Sequence, residues 1–307
     1  MSQPLRRITR VYKEDVDSGI HELEQLIVLL RSRGVILTPF SRLNRHLAAL
    51  KRWDKSAPAS SRFLRSLRLV RVGRAAIDAR EFKDIAEQLS HDFHKWSQRA
   101  QEAVGGQDLP HQELKTKSRD RQFELFLVAS FRRAGILAQP FPEPISASKR
   151  PDLLITINRF EIPVEAKRVG STGALVKRFG EALRQLEACK RPGLIAVEVS
   201  KLLQANEPAP VNDNFFGMGS ISYNRLIELE ATMKGEITKL AKSSFVLGVV
   251  WRASLLSQHP QMELPQVNSS FLVSPISGQM ERMSPIWTLA NRLSNRDRQA
   301  PSVQFLE

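Results

Sequence analysis

Hydrophobic and polar positions divide the chain into a helical first third and a remainder that mixes helices with strands. Apolar residues recur at helical spacing in residues 20–33, and Gly34 follows as a helix-terminating residue. Residues 41–51 and 78–100 are also predicted to be helices, the second with one face of large apolar side chains. The polar residues 105–118, which include two glycines and a proline, are a predicted linker.

The segment after the linker has the pattern of an α/β domain with a mixed β-sheet flanked by helices. Helices are predicted over residues 119–134, 174–190 and 221–242. Strands are predicted over residues 136–139, 153–157, 160–166, 194–199, 245–251 and 271–273. The predicted organisation is a mostly α-helical N-terminal domain (1–104), the linker (105–118), the α/β domain (119–293) and a flexible tail (294–307).

Five arginines at intervals of three occupy the stretch between the second and third predicted helices. They are Arg62, Arg65, Arg68, Arg71 and Arg74. No acidic residue lies among them, so the series itself contains no oppositely charged partner. Contact with phosphate groups and a solubilising surface are both open interpretations of this series.

In residues 150–168, RPDLLITINRFEIPVEAKR, charged residues stand at the ends of two apolar strands. Side chains of a strand alternate between its two faces. The predicted core face comprises Phe160, Ile162, Val164 and Ala166. The opposite face, expected to point away from the core, comprises Glu161, Pro163, Glu165 and Lys167. A hairpin turn near residues 158–159 places Asp152, at the start of one strand, beside Glu165, near the end of the next.

Two neighbouring carboxylates repel each other unless a cation lies between them. Mg²⁺ prefers oxygen ligands, commonly one or two carboxylates with waters and phosphate oxygens, so Asp152 and Glu165 are candidate metal ligands. The carbonyl of Ala166 is a further candidate. Lys167 could orient or deprotonate a water and stabilise the charge of a phosphorane-like transition state. These groups suit the hydrolysis of a phosphodiester.

The motif formed by Pro151-Asp152, twelve residues, and Glu165-Ala166-Lys167 resembles that of the PD-(D/E)xK nuclease superfamily. The resemblance extends over about residues 119–200 and implies the restriction-endonuclease-like fold. It further implies that Asp152 and Glu165 bind Mg²⁺, that Lys167 assists the nucleophile, and that cleavage yields a 5′-phosphate and a 3′-hydroxyl.

Members of that family usually carry an acid on the helix before the hairpin, and Glu124 is the candidate. It lies in register with the apolar Leu127, Val128 and Phe131, where an acid is unusual unless it serves a site. The resemblance implies that Glu124 is an accessory metal ligand or orients the attacking water. Some members support the site with a polar residue on the next helix, and here Gln185 is the candidate, with Arg184 as an alternative.

A short Gly-Ser-Thr turn follows Lys167 and precedes the predicted helix over residues 174–190. Ser171 or Thr172 is expected to cap this helix, and a phosphate contact of Ser171 at the helix N-terminus, with Lys177 and Arg178 nearby, is the alternative. The spacing of a nucleotide-binding P-loop is absent.

The net charge of +14 favours a polyanionic partner, above all nucleic acid. Residues 41–80 carry much of the excess, with 11 basic and 2 acidic residues. The single cysteine, Cys189, excludes an internal disulfide framework and is typical of the reducing cytoplasm. No apolar run approaches the roughly 20 residues of a membrane helix, so no membrane partner is expected.

The sequence therefore predicts a Mg²⁺-dependent deoxyribonuclease, an endonuclease for which Mn²⁺ could substitute, with a basic N-terminal domain that holds DNA. A catalytically inactive nucleic-acid-binding or assembly protein that retains the fold is the alternative, and a basic protein that docks on acidic proteins is a third. DNA versus RNA and endo- versus exonuclease action stay open. A homodimer is one open oligomeric state, because cleavage of both strands of a duplex commonly requires two active sites.

Overall fold

The computed structural model describes residues 8–13, 16–52, 62–105, 117–142, 150–204, 221–258, 265–276 and 280–295. Its strands are β1 (Ile8–Lys13), β2 (Leu137–Pro140), β3 (Leu153–Ile157), β4 (Phe160–Arg168), β5 (Gly193–Glu198), β6 (Val246–Gln258) and β7 (Pro265–Pro275). They form one mixed sheet in the order β1-β7-β6-β5-β4-β3-β2. The central pairs β4–β5 and β5–β6 are parallel, and the outer pairs are antiparallel.

The helices of the first part are α1 (Val16–Ser32), α2 (Arg42–Lys51), α3 (Arg62–Gln88), α4 (Ser97–Val104) and α5 (Lys117–Arg133). Those that follow are α6 (Thr172–Cys189), α7 (Ser200–Leu203), α8 (Ile221–Thr232), α9 (Lys234–Ala241) and α10 (Met280–Asn295). The α/β class with a mixed sheet is confirmed. Among the described residues, no helix is both long and apolar enough to cross a membrane.

Two layers of helices cover the two faces of the sheet, because its central strands are apolar on both sides. One hydrophobic core joins residues of α1 to α5 with one face of the sheet, including Phe82, Leu125, Val164 and Val250. The other core joins α6, α8 and α9 with the opposite face, including Phe179 and Trp251. The candidate site lies where β3 and β4 meet α5 and α6.

The predicted hairpin at residues 153–166 is confirmed. Asn158 and Arg159 both have positive φ, 50° and 73°, as the two central residues of a type I′ turn require. This turn sets the register that pairs Leu153 with Val164. Asp152, one residue before β3, is thereby brought level with Glu165.

The expected division of β4 into a core face and a face pointing away from it is wrong at three positions, Phe160, Pro163 and Glu165. Phe160 lies beside the turn, beyond the cover of the helices, and is 56% exposed. Pro163 and Glu165, on the face predicted to point away from the core, are both buried, and Glu165 is only 1% exposed. The reason is that α6 packs on β4 and covers the face that carries Glu165. The alternation itself holds, because Ile162 and Val164 lie in the core shared with α5.

The helix predicted over residues 78–100 is interrupted. The chain leaves α3 at Gln88 and forms a 3₁₀ turn over Ser90–Lys95 before α4. Asp92 has non-helical dihedrals of −129° and 28°. Its carboxylate is held by Arg132 of α5 at 2.6 and 2.8 Å, so a tertiary ion pair accompanies the break in an otherwise helical pattern.

The helices α1 to α4 share one hydrophobic core with α5 and the sheet. Residues 106–116 of the predicted linker lie outside the described residues, as does much of the tail over 294–307. The division into a helical domain and an α/β domain stays a prediction, while the packing of the two parts against each other is direct.

Candidate active site

Asp152 is anchored to the backbone of the neighbouring strand. Its Oδ2 accepts a hydrogen bond of 2.9 Å from the backbone N–H of Ala166. The two strands pair in the register set by the turn, so this contact follows directly from the hairpin. The carboxylate of Asp152 is thus fixed beside the two functional side chains that flank Ala166.

Glu165 is a buried carboxylate with one oxygen unused. Its Oε1 accepts a hydrogen bond from the ammonium of Lys167, whereas its Oε2 is buried and has no hydrogen-bond partner among the described residues. Burial raises the pKa of Glu165 well above its ordinary value, and the negative charges of Asp152 and Glu124 add to this effect. An ionised carboxylate in this position is therefore poised to gain stability from a cation.

Lys167 is oriented by a second side chain on α6. Its Nζ donates to Oε1 of Gln185 at 3.0 Å, and Nε2 of Gln185 donates to the backbone carbonyl of Arg150 at 3.3 Å. Gln185 thus connects the start of the hairpin to its functional end. Of the two supporting candidates on this helix, Gln185 reaches the site and Arg184 is exposed.

Glu124 enters the site from α5, and its side chain is 7% exposed. Nη1 of Arg121 donates to both of its oxygens, at 2.7 and 2.6 Å, and Nη1 of Arg99 lies 3.6 Å from Oε2. Burial and the charge of Asp152 raise the pKa of Glu124 to about 7, although Arg121 opposes the shift. The acid on the apolar face of α5 therefore belongs to the same electrostatic cluster as Asp152 and Glu165.

The structure thus brings together Glu124, Asp152, Glu165, Lys167 and Gln185. Each of the three carboxylates accepts a hydrogen bond from another group of the protein. Within the described ranges, no three acidic, histidine or cysteine side chains are close enough together to hold a metal ion as they stand. The donor chemistry nevertheless suits Mg²⁺, because the cluster consists of carboxylate oxygens. One of those oxygens, Oε2 of Glu165, is buried without a partner.

The other predicted contacts are only partly placed with the site. Ser171 caps α6 by accepting a 3.3 Å hydrogen bond from the N–H of Ala174, as expected. Lys177 is exposed, and Arg178 pairs with Glu181 at 2.5 Å. The side chains of Arg62, Arg65, Arg68 and Arg71 lie outside the described residues, although the backbone there is helical.

Arg74, the last arginine of the predicted series, lines an open cleft between α3 and the last residues of β4 and β5. The cleft is lined by ionic residues that include Asp78, Glu81, Arg119, Arg168, Glu198 and Arg252. Arg168 directly follows Lys167 and pairs with Glu198 at 3.1 Å. The cleft therefore includes the residue that follows Lys167, although successive side chains of a strand point to opposite faces.

Asp78 is the centre of a buried ion network behind this cleft. It lies 3.0 Å from Arg42, 2.9 Å from His46 and 2.6 Å from Arg119, and Gln122 donates to it at 2.9 Å. Sequence patterns gave no indication of these contacts, because their partners are 32 to 44 residues apart. The residues come from α2, α3 and α5, so the network joins the N-terminal helices to the helix that carries Glu124.

Sequence reasoning also missed Arg121 and Arg99, the two arginines beside Glu124. The position of Arg121 one helical turn before Glu124 was a usable signal, since residues at i and i+3 lie on the same side of a helix. Arg99 gave no such signal, because it reaches the site from α4.

Comparison of the chain with protein-family models, with curated proteins and with solved structures found no match.

Proposed function

We propose that the protein is a metal-dependent nuclease of the PD-(D/E)xK type, with the restriction-endonuclease-like fold and with DNA as its substrate. The observation that carries the proposal is the buried Glu165, which lies between Asp152 and Lys167 and has a carboxylate oxygen without a partner. A buried carboxylate with a neighbouring acid is costly for stability. Such an arrangement is typical of a site built for chemistry rather than for packing.

Asp152, Glu165 and Glu124, with the carbonyl of Ala166, would hold Mg²⁺. When bound, the metal polarises the phosphoryl oxygen and makes water a stronger nucleophile. Lys167, held by Glu165 and Gln185, places a positive charge where negative charge develops on the phosphate oxygens. Attack of water on phosphorus breaks the bond to the 3′ oxygen, which takes a proton and leaves as a hydroxyl, while the phosphate stays on the 5′ oxygen.

The net charge of +14 supports a nucleic-acid substrate. The cleft that includes Arg168 also supports this conclusion, because it lies at the ends of β4 and β5 and is lined by four arginines against three acids. A sheet of this kind commonly binds its ligands at the carboxyl ends of its strands.

The test is incubation of the purified protein with plasmid, linear duplex, single-stranded DNA and RNA, with Mg²⁺ or Mn²⁺ and with EDTA. Cleavage is expected only with a metal. It should be lost, by at least about 100-fold, in the separate variants Asp152→Ala, Glu165→Ala and Lys167→Ala.

Glu161→Ala is the matched control. Glu161 is on the same strand and face as Glu165, about 13 Å away, and pairs on the surface with Arg191. The Glu161→Ala variant should cleave DNA at the same rate as the wild type. Equal activity of Asp152→Ala and wild type would refute the proposed site.

A nucleic-acid-binding protein without nuclease activity is the second candidate. The observation in its favour is that both oxygens of Glu124 are already bonded to Arg121, which competes with a metal for that carboxylate. This candidate predicts salt-dependent DNA binding that is unaffected by Asp152→Ala, with no cleavage under any metal.

A further inference from the structure

Arg121 lies between a buried and a more accessible glutamate at the edge of the candidate site. Its Nη1 donates to both oxygens of Glu124, and its Nε donates to Oε2 of Glu102 at 3.1 Å. Lys117 also reaches Oε2 of Glu102, at 3.2 Å. The side chain of Arg121 is 25% exposed, so it lies between the buried carboxylate of Glu124 and the surface.

Only part of the donor capacity of Arg121 is used. A guanidinium has five N–H donors arranged as a planar fork. In Arg121, Nη1 and Nε contact the two glutamates, whereas Nη2 makes no hydrogen bond to any residue that the structure describes. Nη2 therefore has donors left for an additional anionic partner.

The neighbours of Glu124 differ in how firmly they are held. Arg99 packs on the ring of Trp96, and its Nη1 lies 3.4 Å from the backbone carbonyl oxygen of Asp152. These two contacts hold the side chain of Arg99 in place. Arg121 contacts Glu124 through Nη1 and Glu102 through Nε. Each of these carboxylates could bind another cation in place of the guanidinium. Arg121 is thus the movable positive charge of the site.

We infer that Arg121 is a phosphate-binding residue of this site, paired with Glu124 until a divalent cation takes that carboxylate, and then turned to a phosphate of the nucleic acid. The inference rests on the proposed function. Arginine is well suited to the second position, because its planar fork matches the oxygens of a phosphate. Glu102 would keep the side chain near the site during the exchange.

This arrangement couples metal binding to nucleic-acid binding. Without a metal, Arg121 is held by two glutamates and makes no contact with a phosphate of the DNA. With a metal, one carboxylate no longer needs the guanidinium, and one more phosphate contact becomes available. By linkage, DNA must then favour metal binding by the same factor as metal favours DNA binding.

The first experiment measures DNA affinity against NaCl concentration for wild type, Arg121→Gln and Arg121→Lys, each in EDTA and in Ca²⁺. Ca²⁺ is the probe because it binds carboxylate oxygens as Mg²⁺ does, and gels run beside the titrations check that the DNA stays intact. Arg191→Gln is the matched control, because its side chain is 51% exposed and pairs with Glu161 near the far end of β4.

One phosphate contact contributes about 0.9 to the slope of log K against log salt on duplex DNA. In Ca²⁺ the slope of Arg121→Gln should be shallower than that of wild type by about this amount, and in EDTA the two should coincide. Arg121→Lys, which keeps the charge, should restore most of the difference, and Arg191→Gln should show no dependence on Ca²⁺. Each variant is compared with wild type in the same buffer, so the effect of Ca²⁺ on the counterions of the DNA is the same for both proteins and cancels.

The second experiment measures Mn²⁺ binding without nucleic acid, from the paramagnetic resonance signal of the unbound ion at pH 8.5. Arg121→Gln should bind Mn²⁺ at least about tenfold more tightly than wild type, since a positive charge that competes for Glu124 has been removed. Weaker binding in Arg121→Gln would show that Arg121 only supports the position of Glu124, and would overturn the inference.

The inference also fails if Arg121→Gln changes the salt slope equally in EDTA and in Ca²⁺, or in neither. Its failure is distinguishable from that of the proposed function. If wild type neither binds Mn²⁺ nor cleaves DNA, the proposed function is wrong, whereas metal-dependent cleavage with an unaltered Arg121→Gln protein leaves the nuclease assignment intact.

Discussion

Replacement of Asp78 by alanine tests whether the ion network behind the cleft holds the N-terminal helices to the rest of the molecule. The side chain of Asp78 is 1% exposed, and its carboxylate serves Arg42, His46, Arg119 and Gln122 at once. The substitution removes an acid that these four side chains share.

The expected loss follows from what is left behind. Arg42 is 0% exposed in its side chain and Arg119 is 9% exposed, so two largely buried guanidinium groups lose an anionic partner. Removal of one partner from a buried ion pair costs about 3–5 kcal/mol. This is a large part of the roughly 5–15 kcal/mol by which folded proteins are usually stable.

The measurement is urea denaturation followed by far-UV circular dichroism, with urea chosen because it does not screen charges. Asp78→Ala should unfold at a markedly lower urea concentration. Glu161→Ala, which removes the same charge from an exposed pair, should lose at most about 1 kcal/mol. If the two variants unfold within 1 kcal/mol of each other, the network does not stabilise the fold in the manner argued.

Three further outcomes are expected. Burial lowers the pKa of His46, so just below about pH 6.5 the unfolded chain takes up a proton at this position and the folded chain does not. The free energy of unfolding should therefore decrease as the pH is lowered through this range. In denaturation measured at several pH values, His46→Gln should reduce this dependence, and His94→Gln, at an exposed position, should not. A Cβ at Gly193 would lie 2.5 Å from a backbone carbonyl of β4, so Gly193→Ala should lower stability by about 1–3 kcal/mol, whereas Gly180→Ala, within α6 and in ordinary contact, should raise it by up to about 1 kcal/mol. Glu165→Gln should abolish cleavage yet raise the melting temperature at pH 8, because it removes a buried charge whose ionisation the site disfavours; a lower melting temperature would contradict that reading.

Local pattern was enough to predict most of the sheet and the helices around it. The strands at residues 153–157 and 160–166 were predicted because their apolar residues and their turn agree with each other, and this agreement is a local property. The strand β1 and the helix α10 were not predicted. β1 lies beside β7, more than 250 positions later in the chain, and its residues ITRVYK have too weak an alternation to predict a strand without that partner.

The candidate site was predicted as far as strand geometry reaches. Asp152, Glu165 and Lys167 follow from alternation and from the hairpin, and Glu124 from its position on an apolar helical face. The burial of Glu165 was not predictable, because it depends on α6 folding back over β4. The pairing of Glu124 with Arg121 and Arg99 depends on α4 and α5 meeting at this point, which no local pattern encodes.

The two edge strands of the sheet determine whether copies of the protein can pair through their sheets. One edge is β2, which has only four residues and ends in Pro140, a residue that offers no N–H to another strand. The other edge is β1, which covers β7 along six paired positions. Trimming of the chain before Val16 would bare the hydrogen-bonding groups of β7, including those of Phe271. An open strand edge of this kind invites pairing between copies, so shortened protein should associate in a concentration-dependent way even though its core is intact.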